Sequence, residues 1–300
     1  MEYLIEKIIR TIEVKNPTHA EKLKSNLQGL EKDLFPDSEV FFRKYENYLE
    51  RKGLTLDFAV GCYLHMYSDM VEERWKFKKS GNYSNTSFEE VQKKVYGNKD
   101  IMTYHMNGLV LGQFLWFDQY ERYTFFKENI GQLVSDPKRY LEIGGGHGLY
   151  MMEALRTLPS DCQFDLIDIS PSSIELSKGI INDTKVIYSL KNVFELEDTD
   201  SVDFFTMGEV LEHLEEPKLI LKKLSGLIKN KGKGYITTPV NSAMIDHIYL
   251  FNNVEEIREL FEASGLKIIK EKMVISERIS YEQAMKLKVP IMFAAFVESK

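Results

Sequence analysis

Apolar residues recur at spacings of three and four along the first 135 residues of the chain, a period typical of amphipathic helices. The pattern predicts helices in segments such as EYLIEKIIRTI, HAEKLKSNLQGL and SEVFFRKYENYLERKG, with no strand among them. A later segment, residues 100–134, has too many large apolar and aromatic residues for a helix with one buried face. We therefore predict an all-α region over residues 1–135, whose last helices pack against the following domain.

From residue 136 onward, short apolar runs alternate with helical patterns, which predicts a second domain over residues 136–300. Strands that alternate with helices are typical of a parallel, doubly wound α/β sheet. Residues 209–232 are predicted to be helical, with a break at Pro217. The last two strand-like runs, LKIIKEKMVISE and IMFAAFVES, are separated by one short helix, so we predict an antiparallel hairpin at the edge of the sheet.

The composition of the chain disfavours nucleic-acid and membrane partners and indicates a cellular compartment. The formal net charge of −7 disfavours binding to a polyanion such as DNA or tRNA. There is no apolar run of about 18 residues, so no membrane partner is expected. Cys62 and Cys162 lie far apart, which argues against a disulfide scaffold or a zinc ribbon and predicts a reducing cytoplasm. The chain is thus predicted to be cytoplasmic and to act on a small molecule.

Four glycines lie between the first predicted strand and the next helix, in the stretch YLEIGGGHGLYMMEAL, at Gly144, Gly145, Gly146 and Gly148. One interpretation is a tight turn that needs no ligand. A turn requires only one or two glycines, however, and glycine weakens the folded state through its large conformational entropy. In a doubly wound sheet the carboxyl ends of the strands bind ligands, so we predict a loop whose backbone approaches a ligand.

Asp168 comes twenty residues after Gly148, at the end of the second predicted strand. An acidic residue at this place accepts hydrogen bonds from the ribose hydroxyls of a nucleoside cofactor. The alternative is a helix-capping role beside Pro171. Together with the glycine loop, the position favours ribose binding and predicts a cofactor that contains adenosine.

The glycine spacing distinguishes between adenosine cofactors. Nicotinamide and flavin enzymes use Gly-x-Gly-x-x-Gly, whereas this chain has Gly144-x-Gly146-x-Gly148 preceded by Glu142. That form resembles the class I S-adenosylmethionine (SAM)-dependent methyltransferases, and FFTMGEVLEHLEEP and GKGYITTPVN resemble the fourth and fifth strand regions of the same family. The resemblance runs from about Lys138 to Lys300. It implies a Rossmann-like, seven-stranded sheet with a reversed C-terminal hairpin, and SAM as the cofactor.

The resemblance also implies positions around SAM: Glu142 at the amino group, Gly144, Gly146 and Gly148 along the methionine part, Asp168 at the ribose, Asn192 and Val193 at the adenine, and Gly208 and Glu209 under the sulfonium. Asn192 stands where the family more often has aspartate.

Methyl transfer requires a nucleophile oriented in line with the methyl–sulfur bond, and in some reactions a base. By position, the catalytic candidates are His213, Asp246 and His247. One histidine can act as the base or contact the substrate. Alternatively, the three form a two-histidine, one-carboxylate site for a divalent metal and a chelating substrate, or they only support the sheet edge. His105 is predicted to be a core or lid residue without a matching partner.

The helical region is predicted to cover the cofactor domain as a lid and to select the substrate. Tyr104, Trp116 and Tyr120 are the preferred substrate-pocket residues, although aromatic residues at helical spacing also serve core packing or a homodimer surface. The predicted function is methyl transfer from SAM to a small-molecule metabolite. Two alternatives stay open: an intramolecular cyclisation of SAM that releases methylthioadenosine, and a non-catalytic SAM-binding protein.

Overall fold

The computed structural model describes residues 2–197 and 201–300, and in these ranges seven α-helices precede the first strand. Polar residues begin several of them: Asn16 accepts a hydrogen bond from the His19 amide, and the Thr55 hydroxyl accepts one from the Phe58 amide. The helices are α1 Leu4–Lys15, α2 Pro17–Leu27, α3 Glu31–Arg51, α4 Leu56–Ser80, α5 Phe88–Val91, α6 Lys99–Leu115 and α7 Phe117–Leu133.

The helical segment after Ser87 differs from the other helices in one respect. It begins as α5, capped by Ser87, but continues as a π-helical turn over Gln92–Tyr96. π-Helical turns are rare and often occur at functional sites. This turn ends at Tyr96, whose hydroxyl lies 3.1 Å from His213 Nδ1.

Seven strands form one sheet in the order β3-β2-β1-β4-β5-β7-β6. β7 is antiparallel to both β5 and β6, and the other pairs are parallel. The doubly wound fold and its reversed C-terminal hairpin are therefore confirmed. The elements are β1 Arg139–Ile143, α8 Leu149–Thr157, β2 Gln163–Asp168, α9 Pro171–Ile181, β3 Val186–Leu190, β4 Val202–Gly208, α10 Pro217–Leu227, β5 Ile228–Val240, α11 Val254–Ala263, β6 Leu266–Ile275, α12 Tyr281–Leu287 and β7 Ile291–Ser299.

The predicted helix over residues 209–232 is wrong in part. Only Leu211–His213 forms a short 3₁₀ turn before Pro217 begins α10, a position that suits proline because no amide hydrogen is required there. The strand β5 already starts at Ile228, which pairs with Val202. Pairing with β4 outweighs the local helical pattern at residues 228–232 because it satisfies the backbone hydrogen bonds there.

The helical region packs against the sheet domain through α9. An added Cβ at Gly179 of α9 would lie 2.4 Å from Tyr48 Cδ2 of α3, so glycine is required for this approach. Lys44 Nζ donates a 2.9 Å hydrogen bond to the carbonyl of Ile181 at the end of α9. Of the helices in the described ranges, none combines the length and apolarity needed to cross a bilayer.

Candidate functional site

The glycine loop connects β1 to α8 in a conformation that suits glycine. Gly144, Gly146 and Gly148 have φ angles of +67°, +51° and +77°, in the left-handed region. An added Cβ at Gly144 would lie 2.6 Å from Val210 Cγ2, and one at Gly148 would lie 2.4 Å from Ile181 Cδ1. At Gly146 the nearest atom is a backbone oxygen 3.9 Å away, so this position opens onto free space. Packing therefore explains two of the glycines, and Gly146 opens towards the space that a ligand can fill.

That space is the central cavity, with a volume of about 380 Å³, enclosed between the carboxyl ends of the strands and the helices α2, α4, α6 and α7. Six of the nine predicted cofactor-binding residues line it: Glu142, Gly144, Gly146, Asp168, Gly208 and Glu209.

The other three predicted cofactor residues do not line the central cavity. Gly148 begins α8 behind the loop. The Asn192 side chain accepts a hydrogen bond from the Phe194 amide and caps the 3₁₀ turn Val193–Glu195. Asn192 is exposed, and Val193 is buried.

Two buried carboxyl groups lie on the β1 and β2 side of the cavity. Burial raises the pKa of Glu142 to about 8, and the Tyr140 hydroxyl donates a 3.3 Å hydrogen bond to its Oε2. Burial also raises the pKa of Asp168 to about 6, although its Oδ1 accepts a 2.8 Å hydrogen bond from the Ser170 amide. Carboxyl groups that are desolvated in this way favour a ligand that brings a cation or hydroxyl donors.

A buried ion pair connects α7 to the end of β4. Arg122, only 1% exposed, donates to Glu209 Oε1 and to Gln119 Oε1. Glu209 also accepts a 2.9 Å hydrogen bond from the Thr237 hydroxyl and has a φ of +54°. Sequence analysis missed Arg122. The sequence does contain a signal for it: Arg122 is a charged residue inside a segment that has apolar residues on all faces. A buried arginine requires a partner.

A cluster of ionisable residues lies on the β4 and β5 side of the cavity. His213 follows β4, and Asp246 and His247 follow β5, so the sheet brings all three together as predicted. His105 of α6 joins them: its Nε2 lies 3.4 Å from Asp246 Oδ2, and His213 Nδ1 lies 3.6 Å from the same oxygen. The expectation that His105 has no matching partner is wrong, because its partner comes from a residue 141 positions away.

Hydrogen bonds determine the tautomers of two of these histidines. His213 Nδ1 lies 3.0 Å from the carbonyl oxygen of Asp246, and His247 Nδ1 lies 2.7 Å from that of Ser242. A carbonyl only accepts, so each Nδ1 carries the hydrogen and, in the neutral ring, each Nε2 carries the lone pair. Both side chains line the cavity, so each neutral ring has a basic nitrogen available there.

The pKa values of His213 and His247 are shifted in opposite directions, because the two rings have different charged neighbours. Burial alone would lower the pKa of His213, but the Asp246 and Glu212 carboxylates outweigh it and the net pKa is raised. Burial lowers the pKa of His247 to about 4, and the neighbouring His213 adds to this. Burial opposes ionisation of Asp246, yet His213 and His105 hold its pKa well below the usual range.

The structure also changes the carboxylate that is best placed for a metal. Ligand atoms of Glu212, His213 and His247 lie within 4.8 Å of one another. Glu212 is fully buried, and its Oε2 accepts a 2.9 Å hydrogen bond from the Thr238 hydroxyl, whereas Oε1 has no partner among the described residues. Asp246, the predicted ligand, instead interacts with His105 and with the Nδ1 side of His213.

Of the three predicted substrate-pocket aromatics, only Trp116 lines the central cavity. The Tyr104 hydroxyl donates to Asp69 at 2.6 Å, and the Tyr120 hydroxyl donates to Asp37 at 3.2 Å; both lie outside the cavity. The far end of the cavity is lined instead by residues that sequence analysis did not choose for it, among them His19, Met70, Arg74, Phe117 and Met292.

A family model described as a methyltransferase domain matches residues 118–271, just over half of the chain. The chain is also similar to the ubiquinone biosynthesis O-methyltransferase of Xanthomonas oryzae pv. oryzae, with 32% identity over 104 residues, or 33% of this chain and 42% of the relative. The chain thus matches less than half the length of the curated relatives.

Two solved structures share the fold at low identity. Haemonchus contortus phosphoethanolamine N-methyltransferase 2, in complex with SAM, has a TM-score of 0.52 and 15% identity, covering 72% of this chain and 60% of that one. The N-methyltransferase NodS of Bradyrhizobium japonicum, in complex with S-adenosylhomocysteine, has a TM-score of 0.50 and 11% identity, covering 71% and 98%. At these identities the likeness is one of fold.

Proposed function

This chain belongs to the methyltransferase-domain family, and we propose that it transfers the methyl group of SAM to a small molecule bound in the central cavity. The observation that carries the proposal is that the glycine loop, two buried carboxyl groups and the histidine cluster all line one cavity. A cofactor-binding loop and candidate bases therefore share one space that a small acceptor can occupy.

In the proposed complex, SAM lies along the carboxyl ends of β1, β2 and β4. Glu142 binds the amino group, and Asp168 accepts hydrogen bonds from the ribose hydroxyls. The backbone of Gly144 and Gly146 adjoins the methionine part, while Gly208 and Glu209 lie under the sulfonium. Gly148 supports the loop through its packing on Ile181, and Asn192 and Val193 remain the proposed neighbours of the adenine.

The proposed base is His213, through Nε2. The sulfonium methyl is already electrophilic, so the protein has to orient the acceptor in line with it and remove a proton from the acceptor. Asp246 stabilises the imidazolium that forms, because its carboxylate lies 3.6 Å from His213 Nδ1. His105 is a positioning residue that holds Asp246 from the other side. His247, with its lowered pKa, is a neutral hydrogen-bond partner for the acceptor.

The helices α2, α4, α6 and α7 supply the cover of the cavity and, in this proposal, act as the lid that selects the acceptor. The names of relatives support a small acceptor, since they include an O-methyltransferase of ubiquinone biosynthesis and a phosphoethanolamine N-methyltransferase. The cytoplasmic location and the homodimer stay predictions.

Calorimetric titration with S-adenosylhomocysteine tests the cofactor site. We expect Asp168→Ala to weaken binding by about 1–3 kcal/mol, because the ribose hydroxyls lose their acceptor. The matched control is Asp183→Ala, which removes an exposed carboxylate outside the cavity. Equal affinity for the wild type and Asp168→Ala would contradict the ribose assignment.

The reaction is tested by incubating the protein with methyl-labelled SAM and an extract of small metabolites. Transfer of the label with release of S-adenosylhomocysteine supports methyl transfer. Release of methylthioadenosine supports the cyclisation of SAM, and tight binding of SAM without turnover supports a binding protein.

A divalent metal is a second candidate for the histidine cluster. The observation that favours it is the grouping of Glu212, His213 and His247, with one unpartnered carboxylate oxygen. In addition, both histidines donate Nδ1–H to backbone carbonyls, an arrangement common among metal-bound histidines. Metal analysis of the purified protein and of a Glu212→Gln variant tests it: a stoichiometric metal that the variant lacks supports the site, and a metal-free, active wild type excludes it.

A further inference from the structure

Three buried nitrogen atoms of residues that line the central cavity have no hydrogen-bond partner among the described residues. They are His19 Nδ1, Arg74 Nε and Arg122 Nε, on α2, α4 and α7. All three side chains line the cavity. A buried donor without an acceptor destabilises a protein by about 1–3 kcal/mol. Three such donors around one cavity therefore indicate a ligand that brings acceptor atoms.

A chain of hydrogen bonds makes His19 Nδ1 a donor. The Trp116 indole, which can only donate, gives a 2.9 Å hydrogen bond to the Tyr63 hydroxyl. The hydroxyl hydrogen of Tyr63 then points to His19 Nε2, 2.8 Å away. Because Nε2 accepts, the ring hydrogen lies on Nδ1. Burial, with a smaller effect from Lys22, lowers the pKa of His19 to about 4, so the ring is neutral near pH 7.

The two arginines already have carboxylate partners on their terminal nitrogens. Arg122 donates to Glu209 and Gln119, and Arg74 Nη2 donates to Glu277 at 2.7 Å. The acidic groups next to these guanidinium groups are thus engaged, while the Nε–H groups stay available.

One further cation lies at this end of the cavity. Lys22 lines the cavity and, within the part of the chain that the structure describes, makes no ion pair. The remaining walls are mainly apolar, from Tyr67, Met70, Trp116 and Phe117. Asp118 also lines the cavity, where its Oδ2 accepts a hydrogen bond from the Ser276 hydroxyl. Available N–H donors beside Lys22 suit an oxyanion, and the apolar walls suit a hydrocarbon or aromatic body.

We propose that the acceptor substrate carries an oxyanion, a carboxylate or a phosphate, that binds His19 and Arg74 at the far end of the cavity. This inference rests on the proposed function, since it assigns the class of molecule to be methylated. The oxyanion anchors one end of the substrate, and the apolar body extends towards the cofactor side.

The test measures the binding of matched probes to protein saturated with S-adenosylhomocysteine. The probes are benzoate, phenyl phosphate and the neutral isostere benzamide, each titrated by calorimetry. We expect at least one of the two anions to bind about tenfold tighter than benzamide, as charge-assisted hydrogen bonds require. If phenyl phosphate exceeds benzoate, the oxyanion is a phosphate, and the reverse order identifies a carboxylate. Equal or weaker binding of both anions overturns the inference.

Variants locate the anion. His19→Phe keeps an aromatic ring to stack on Tyr67 but has no donor, and Arg74→Met removes the second donor; each should reduce the preference for the anion to about threefold or less. Lys24→Gln is the control, because Lys24 is on the same helix as His19 but does not line the cavity. A preference unchanged in both cavity variants also overturns the inference. Failure of S-adenosylhomocysteine to bind at all would instead count against the proposed function.

Discussion

The two ends of the central cavity are built in different ways. The cofactor end consists of consecutive backbone, the loop from Gly144 to Gly148, with carboxyl groups at the ends of neighbouring strands. The far end consists of single side chains from different helices, such as His19 of α2 and Arg74 of α4, which are 55 positions apart. The first end depends on backbone conformation, and the second on the packing of helices. Substitutions should therefore affect the two ends independently.

The largest expected effect lies between the two ends, at the histidine cluster. We expect His213→Gln to lower turnover by about 10²–10⁴-fold, the range for loss of a general base, because glutamine cannot accept the proton. Affinity for S-adenosylhomocysteine should change by less than about threefold, since this affinity depends mainly on residues at the cofactor end. His65→Gln is the control, an exposed histidine stacked on Tyr104. A normal turnover rate in His213→Gln would remove this residue from the chemistry.

The next effect concerns the cofactor end alone. Gly146→Val should reduce affinity for S-adenosylhomocysteine on the order of 100-fold, or about 2.7 kcal/mol. Its branched side chain would enter the cavity from a backbone with a φ of +51°. Binding of the anionic probes at the far end should persist. Gly226→Ala, at a helical glycine with no atom within 4 Å of the added Cβ, is the control. Loss of probe binding in Gly146→Val would show that the two ends are coupled.

A smaller effect is expected at the positioning residue His105. His105→Leu should lower kcat by about threefold to tenfold, because Asp246 loses one of its two histidine partners and leucine has no hydrogen-bond donor. KM should stay nearly constant, and His105→Asn should retain part of the rate if hydrogen bonding to Asp246 is the relevant interaction. A change in KM with constant kcat would instead indicate direct contact with the substrate.

The last effect concerns stability instead of turnover or affinity, and it arises at Glu142. Its folded pKa of about 8 exceeds the ordinary value of 4.5, so the folded protein holds this proton more tightly than the unfolded chain. The resulting stability is fully present below about pH 4.5 and is lost as the pH rises through 8. Between pH 5 and pH 8.5, without cofactor, Glu142→Gln should reduce the decline in the free energy of unfolding by roughly 1–3 kcal/mol.

Chemical denaturation at several pH values measures this decline. Burial also raises the pKa of Glu212 to about 8, so the free energy of unfolding of the Glu142→Gln variant should still decline to some extent as the pH rises. Glu89→Gln, at an exposed position, should keep the full slope of the wild type. A Glu142→Gln profile identical to that of the wild type would contradict the raised pKa.

The same difference between local backbone and distant side chains determines which features could be predicted from the sequence. The glycine loop and Asp168 were predictable because short-range spacing along β1, β2 and the first helix determines their positions. His213 and Asp246 were predictable as candidates because each follows a strand. Arg122 and His105 were not, because their partners come from distant elements. The early start of β5 was missed for the same reason, since Ile228 pairs with Val202 of another strand.

The buried pair of Arg122 and Glu209 has a consequence for the kinetics of exchange. It connects the helical cover to the end of β4, and separation would leave the buried Arg122 guanidinium without its carboxylate partner, at a cost on the order of 3–5 kcal/mol. Such a separation occurs at any moment in only about one molecule in 150 to one in 5,000, by Boltzmann weighting. Displacement of α7 is therefore a slow route by which ligands can enter and leave the central cavity.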